Sequence, residues 1–486
     1  MSGETDAVAA QSVAAVDSWI HLLDRARFGL LRSLSTTAGI AVLVGAGLIG
    51  LHHNAVRTRS QFGSQASSLA RLSGAMILVQ GFRGDPSRNP PSLWTDRLGV
   101  DPAKNLWKRY GRSMWWQAWS QDGDAYLVLA SASLPSNISA LHRERVGTLV
   151  VVGSDALHRE QLLQRVNPTQ PLADLQLLAG SLFGSCLQSL AEAPGVLWSG
   201  DALATISGTL APLLQQGREG CVQLRLRSNQ LRWEGVIGNR PLSSATQRAS
   251  ILAGMSVPGS SPEGIAESTL LQIDGARLEL ILGTLLSRQI IQDPLEEHYG
   301  INRDMRRTIA DRPFALRLQR RDRGLYRAGL QVQLPLLGKQ QQWSRILEAV
   351  SDRLKSRGFE LVNSPKAGSS GTAAETLWHR RDDQDRTVVG GWALIDRETQ
   401  PVLSIGLGIV PAVESFLASP PRGQSPSLRV TADPARLLKL GLLGGQWPKP
   451  VENASALSVM VTPLDESKST KDWWRMSGQL ELTPES

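Results

Sequence analysis

Beyond Arg59, apolar and polar residues alternate in paired runs separated by turn residues, the signature of β-hairpins. Met114-Trp115-Trp116 leads through Asp122-Gly123 to Tyr126-Leu127-Val128-Leu129, and Val222 to Arg227 is followed by Ser228-Asn229-Gln230 and then Leu231 to Glu234. Phe314, Leu316 and Leu318 alternate with Arg317 and Gln319, and the return run sets Leu330, Val332 and Leu334 against Gln331 and Gln333. Leu457, Val459 and Val461 match Leu480 and Leu482. Strict alternation predicts antiparallel sheet with one buried and one wet face. A helical period appears between hairpins: Trp343, Ile346, Leu347, Val350 and Leu354 share one face, and Gly358 is placed to end that helix.

The chain also repeats itself. Leu98-Gly99-Val100-Asp101 matches Tyr299-Gly300-Ile301-Asn302 at an offset of 201, and the hairpins that follow keep that register. Glycine can end a helix and Asp or Asn can cap the next, so the motif reads as a helix junction. Ile273-Asp274 and Ile395-Asp396 each read as the entry to a turn between apolar strands. Four α+β modules are expected, at 60–135, 136–242, 243–336 and 337–486, each an antiparallel hairpin unit with helices packed on one face. Segments 364–376 and 419–427 read as insertions from their Gly, Ser and Pro content.

The Leu98-Gly99-Val100-Asp101 lead-in, followed by Trp107, Gly111 and a strand, resembles a bacterial, often cyanobacterial, family known only as a domain of unknown function. The resemblance implies one N-terminal transmembrane helix and repeated α+β units over roughly Gly74 to Pro484. It implies no catalytic residues, and the second hairpin departs from it, with Gln215-Gln216-Gly217 in place of the lead-in.

The N-terminal region fits that implication. Ser33 to Leu51 is free of charge for nineteen residues, about 28 Å as a helix and close to a bilayer core. A tail at 1–32 with an amphipathic helix and an anchor at 33–52 are therefore expected, with the large domain outside the cytoplasm because Arg25, Arg27 and Arg32 precede the span. The same stretch holds a second reading. Gly45, Gly47 and Gly50 form a GxGxxG after Ile40-Ala41-Val42-Leu43-Val44, the first turn of a flavin- or NAD(P)-binding fold. Against it, the next strand candidate, Met76 to Val79, ends at Gln80 where an acidic ribose partner is wanted.

Composition adds bounds. The chain has 486 residues, too many for one small core, and two cysteines, too few for a disulfide framework or a multi-thiolate zinc site. Cys186 and Cys221 are candidates for a single disulfide or for two buried apolar residues. Motifs for metalloprotease, serine hydrolase and P-loop chemistry are absent, and no cofactor or metal site is read from the sequence. Leu141-His142-Arg143-Glu144 and Leu157-His158-Arg159-Glu160 read as solvated helix surface, and Asp382, Asp383 and Asp385 as a solvated turn.

The net charge is +8. Much of it lies in Arg303, Arg306, Arg307, Arg312, Arg317, Arg320, Arg321, Arg323 and Arg327, the candidate binding surface, suited to anionic lipid or an acidic protein rather than nucleic acid. Lys104, Lys108, Arg109 and Arg112 near Trp107, Trp115, Trp116 and Trp119 form a second basic-aromatic set, better explained by a core. The expectation is a membrane-anchored, non-enzymatic binding or scaffolding protein, with an oxidoreductase using Gly45, Gly47 and Gly50 as the alternative.

Overall fold

The computed structural model describes residues 63–133, 142–166, 181–200, 202, 217–227, 229–238, 268–279, 281, 289–299, 301–322, 326–336, 340–365, 374–380, 387–396, 400–417, 427–443, 452–464 and 473–483. Eighteen strands among them form one antiparallel sheet. The first half of the chain supplies β1 Leu78–Arg83, β2 Met114–Trp119, β3 Ala125–Ala130, β4 Arg143–Val146, β5 Leu149–Val152, β6 Gly195–Trp198, β7 Glu219–Arg227 and β8 Gln230–Gly238. The second supplies β9 Thr269–Gly275, β10 Phe314–Arg320, β11 Ala328–Pro335, β12 Phe359–Pro365, β13 Ala374–Arg380, β14 Val388–Ile395, β15 Val402–Leu407, β16 Leu428–Ala432, β17 Ala454–Pro463 and β18 Trp473–Leu482.

Pairing sets these strands in one row. The first half runs β4-β5-β3-β2-β1-β6-β7-β8. From the other end, the second runs β12-β13-β14-β15-β11-β10-β9-β16-β17-β18. With the β12–β13 hairpin set aside, the two orders are the same, so the sheet is a duplication. β8 and β18, which occupy the same place in each repeat, pair antiparallel and join the halves. Two equivalent strands paired in this way are related by a local twofold axis, as in a symmetric dimer interface. Matching the ladders strand by strand places the axis between Trp233 and Gly478, which face each other in the register.

Helices pack on both faces. In the first repeat α1 Ser64–Ser73 and, later in the chain, α5 Leu182–Glu192 cover one face, while α2 Ser92–Leu98 and α3 Val100–Tyr110 cover the other. Between them in sequence, α4 Ala156–Arg165 joins the α1–α5 side through Leu162. Double coverage explains why β2 is MWWQAW and β5 is LVVV: neighbouring residues point to opposite faces, and both faces are buried. Trp116 enters the α1–α5 core and donates its indole N–H to Leu190 O at 2.9 Å. Trp115 enters the α2–α3 core, stacked on Phe82 and edge-on to Trp94 and Trp107. These tryptophans are interior, so the basic-aromatic set around Trp107 is a core with charged residues at its rim. The second repeat adds α6 Gln289–Tyr299, α7 Arg303–Ala310, α8 Gln340–Ser356 and α9 Pro434–Lys439.

One face is apolar in both repeats: Phe82 corresponds to Ile273, Trp115 to Leu316, Leu127 to Leu330, Leu129 to Val332 and Val150 to Ile405. The other face changes. Trp116 corresponds to Arg317, Val128 to Gln331, Leu149 to Ser404 and Gly81 to Gln272. We call it the variable face. The repeated lead-in also differs in detail. Gly99, at φ 83°, joins α2 directly to α3 as the cap of both, whereas Asn302 caps α7 by accepting from Met305 N at 3.0 Å.

Two expectations are corrected. The four α+β modules with helices on one face do not form, because no hairpin closes its own sheet: β1 pairs with β2 and β6, and β9 with β10 and β16. Strand edges left open within a module find partners in the next, which merges four hairpin units into one continuous sheet. The single-pass transmembrane anchor is also corrected, and the location outside the cytoplasm that rested on it loses its support. No helix among the described residues is long and apolar enough to cross a membrane. The longest, α8, has 17 residues and carries Arg345, Glu348, Asp352, Arg353 and Lys355. The expected span at 33–52 lies outside the described residues, as do Gly45, Gly47 and Gly50.

Candidate polar face at the junction of the repeats

The variable face is polar from β7 across the junction to β11. One cross-strand row reads Arg225, Arg232, Gln479, Ser458, Thr431, Gln272, Arg317, Gln331. The next reads Gln223, Glu234, Ser477, Met460, Arg429, Asp274, Ala315, Gln333. Strands lie about 4.8 Å apart, so each row of eight spans about 34 Å.

At the β11 end the polar side chains serve the fold. Gln331 donates to Val410 O at 3.1 Å. Gln333, fully buried, accepts from the amides of Phe416 at 2.8 Å and Leu417 at 3.1 Å and donates to Glu414 O at 2.9 Å. These bonds lay segment 409–417 on the sheet. They bring Phe416 under Arg317, whose guanidinium sits 4.1 Å from the ring centroid. Arg317 also donates to Gln272 Oε1 at 3.2 Å, and Gln272 donates to Asp274 Oδ2 at 2.8 Å. Asp274, expected at a turn, is thus a mid-face strand residue.

Asp274 Oδ1 is buried without a hydrogen-bond partner. Burial pushes this carboxyl above its usual range, opposed by the Gln272 bond and by the charges of Arg317 and Arg429. A carboxyl raised in the folded state costs stability once pH rises above its unfolded value, and costs nothing below it. Asp274→Asn is therefore expected to raise the melting temperature at about pH 7 and to leave it unchanged at about pH 3. Thermal denaturation at the two pH values checks this.

At the β8 end the polar groups surround a groove between α5 and the sheet, lined by Cys186, Ser189, Gln223, Arg225, Glu234 and Gly235. Cys186 and Cys221 are joined by a disulfide, Cα atoms 6.0 Å apart, which ties α5 to β7 and fixes that wall. Gln223 donates to Ser189 Oγ and accepts from Arg225 Nη2 at 3.2 Å. Glu234 is half-buried, and burial raises its carboxyl above the usual range against the pull of Arg475 and Arg225. Arg232 donates Nη2 to Gln230 Oε1 at 2.7 Å, yet the Nε of Arg232 and the Nε of Arg475 are both buried without an acceptor. Buried guanidinium N–H groups lacking acceptors are rare and point to a missing partner.

The described arginines of residues 303–327 stand in several places on the sheet. Arg303 and Arg307 are exposed on α7, which borders a cavity with Leu334 and Trp343 on the apolar side of the sheet. Arg317 stands on the variable face, the opposite side. Arg306 is buried and bonded to Ile301 O at 2.9 Å and Glu296 at 3.3 Å. Others are tethered locally: Arg312 to Thr308 O, Arg320 to Asp322, Arg321 to Gly408 O and Arg327 to Leu440 O. Arg323, segment 366–373 and Asp382, Asp383 and Asp385 lie outside the described residues.

The two His-Arg-Glu segments also part company. Arg143 and Glu144 lie in strand β4, not on a helix, while His158 sits in the first turn of α4. Its ring bridges Asp155 Oδ1 at 2.7 Å and Asp124 Oδ2 at 2.5 Å, and Tyr126 Oη donates to its carbonyl. Bonds from the His158 amide and ring hold Asp155 down at about 2, and the carboxylates raise the imidazole. This clamp joins α4 to the β2–β3 turn. No group of three or more His, Cys, Asp and Glu side chains suited to a metal occurs among the described residues.

Arg225, Arg232, Glu234, Arg429 and Arg475 escaped the sequence reading as a group, because 250 residues separate the first from the last and only the β8–β18 pairing unites them. Comparison with known proteins gives no match to a family model, to a curated protein or to a solved structure. The family resemblance therefore rests on the Gly-hydrophobic-Asp lead-in alone.

Proposed function

We propose that this is a non-enzymatic binding or scaffolding protein, and that its recognition surface is the variable face at the junction of the repeats. The observation that carries the reading is the divergence of the two repeats. A duplicated sheet keeps the apolar character of one face throughout and exchanges Trp116, Val128 and Leu149 for Arg317, Gln331 and Ser404 on the other. Arg225, Arg232, Arg429 and Arg475, set against Glu234 and Asp274, leave this face net positive, which suits an acidic protein. The rigid sheet beneath pre-positions these side chains, so little ordering is needed on binding.

Polyglutamate serves as the probe, with binding followed by fluorescence anisotropy. Changing Arg225, Arg232, Arg429 and Arg475 to serine together is expected to weaken binding at least about tenfold, while changing exposed Arg303 and Arg307 on α7 to serine leaves it within about twofold. Absence of binding by the unaltered protein, or a larger loss from the α7 pair, would overturn the proposal.

A further inference from the structure

The groove beside α5 has features that a general electrostatic face does not need. Glu234 lines the groove with Arg225 of β7, and on the same face the register sets Arg475 of β18 and Arg232, two residues earlier on its own strand, as its neighbours. Helix α5 brings Cys186, Ser189 and Leu190 to the groove and no charged side chain. Ser477 lies directly across from Glu234 in the β8–β18 ladder. Arg232 and Arg475 flank that Glu234–Ser477 step, one on each strand, and each has an Nε–H without an acceptor. The wall opposite is held by the Cys186–Cys221 bond.

We infer that this groove is a subsite for one aspartate or glutamate side chain of an acidic protein partner, its carboxylate received by Arg225 at the groove wall with Arg232 and Arg475 beside it. Three guanidiniums against one acid give the site a positive balance, and a neutral Glu234 turns from a competing anion into an O–H donor toward the incoming carboxylate. Burial raises the Glu234 carboxyl above its usual range against the pull of Arg475 and Arg225, so the protonated form persists to higher pH than in an exposed glutamate. As pH rises, Glu234 ionises beside the bound carboxylate and repels it. Binding is therefore tighter below the raised value of Glu234 and weaker above it, a pH dependence a diffuse arginine surface lacks.

The inference rests on the proposed recognition of acidic partners and is tested separately from it. An acetylated, fluorescent aspartate octapeptide is the probe, since its carboxylates stay ionised above about pH 5. With the full chain, affinity is expected to fall about tenfold from pH 5.5 to about pH 8. Glu234→Gln should abolish that dependence and hold the tight affinity at the higher pH, and Arg225→Glu should weaken binding at both. Circular dichroism and melting temperature establish that each variant is folded. Octapeptide binding that is independent of pH, or that keeps its pH dependence in Glu234→Gln, overturns the subsite and leaves the broader reading intact. Failure of polyglutamate and octapeptide alike overturns both. A serine-phosphorylated octapeptide of equal charge that binds more tightly than the aspartate peptide would assign the groove to phosphate instead.

Discussion

Replacing Gly478 with valine is expected to destabilise the protein by about 3 kcal/mol, the upper part of the range for side chains forced into filled space. Gly478 lies opposite Trp233 in the β8–β18 register, and a side chain there would meet the Trp233 indole and the carbonyl of Ser458. The local twofold axis explains why this position is glycine. Equivalent residues meet at an axis, so two large side chains would compete for the same space, and the duplicated chain resolves the conflict with tryptophan on one strand and glycine on the other. Trp233→Gly in the same molecule should recover much of the loss, because it vacates that space. Trp233→Gly alone should also destabilise, since it strips a half-buried aromatic from the cluster that includes Leu224, Leu231 and Leu480. Urea unfolding of the two single variants and the double variant measures the coupling, expected to exceed about 1 kcal/mol. Additive losses would show that the two positions do not share one site.

The hairpins were legible because each is local. β2–β3, β7–β8, β10–β11 and β17–β18 all occur where alternation and turn residues placed them, and α8 ends at Ser356, two residues before Gly358 with φ 85°. Which strands pair beyond each hairpin was not legible, since β1 meets β6 across more than 100 residues and nothing in either strand names the other. In the first repeat β2, β3, β5 and β6 are nearly continuous in apolar residues, as in LVVV at β5 and GVLW at β6, while β10 and β11 alternate. Continuous strands predict burial on both faces, so the contrast distinguishes doubly covered strands from those with a polar face. The described arginines of 303–327 are close in sequence and apart in space: the turn out of α7 and the alternation along β10 send neighbours to opposite sides of the sheet.

Gln333→Leu is expected to cost about 3–5 kcal/mol, and the cost should be concentrated in segment 409–417. Gln333 is fully buried and serves three backbone groups there: the amides of Phe416 and Leu417 and the carbonyl of Glu414. Leucine fills a similar volume but offers neither acceptor nor donor, so groups buried to suit an amide lose it, each at about 1–3 kcal/mol. Ala130 holds the equivalent place in the first repeat, where the chain after β5 turns into helix α4. The polar residue thus reflects the segment it tethers and not a general demand of the sheet. Freed from Gln333, Phe416 should leave the Arg317 guanidinium. Hydrogen exchange followed by mass spectrometry should then show faster exchange across 409–417 while β1 to β6 keep their protection. Unchanged protection in 409–417 would mean that Gln331 and the Arg317–Phe416 contact hold the segment without it. Polyglutamate binding should survive the substitution, because β8 lies six strands from β11, about 29 Å across the sheet. A loss of binding that accompanied loosening of 409–417 would instead make the two ends of the polar face one cooperative surface.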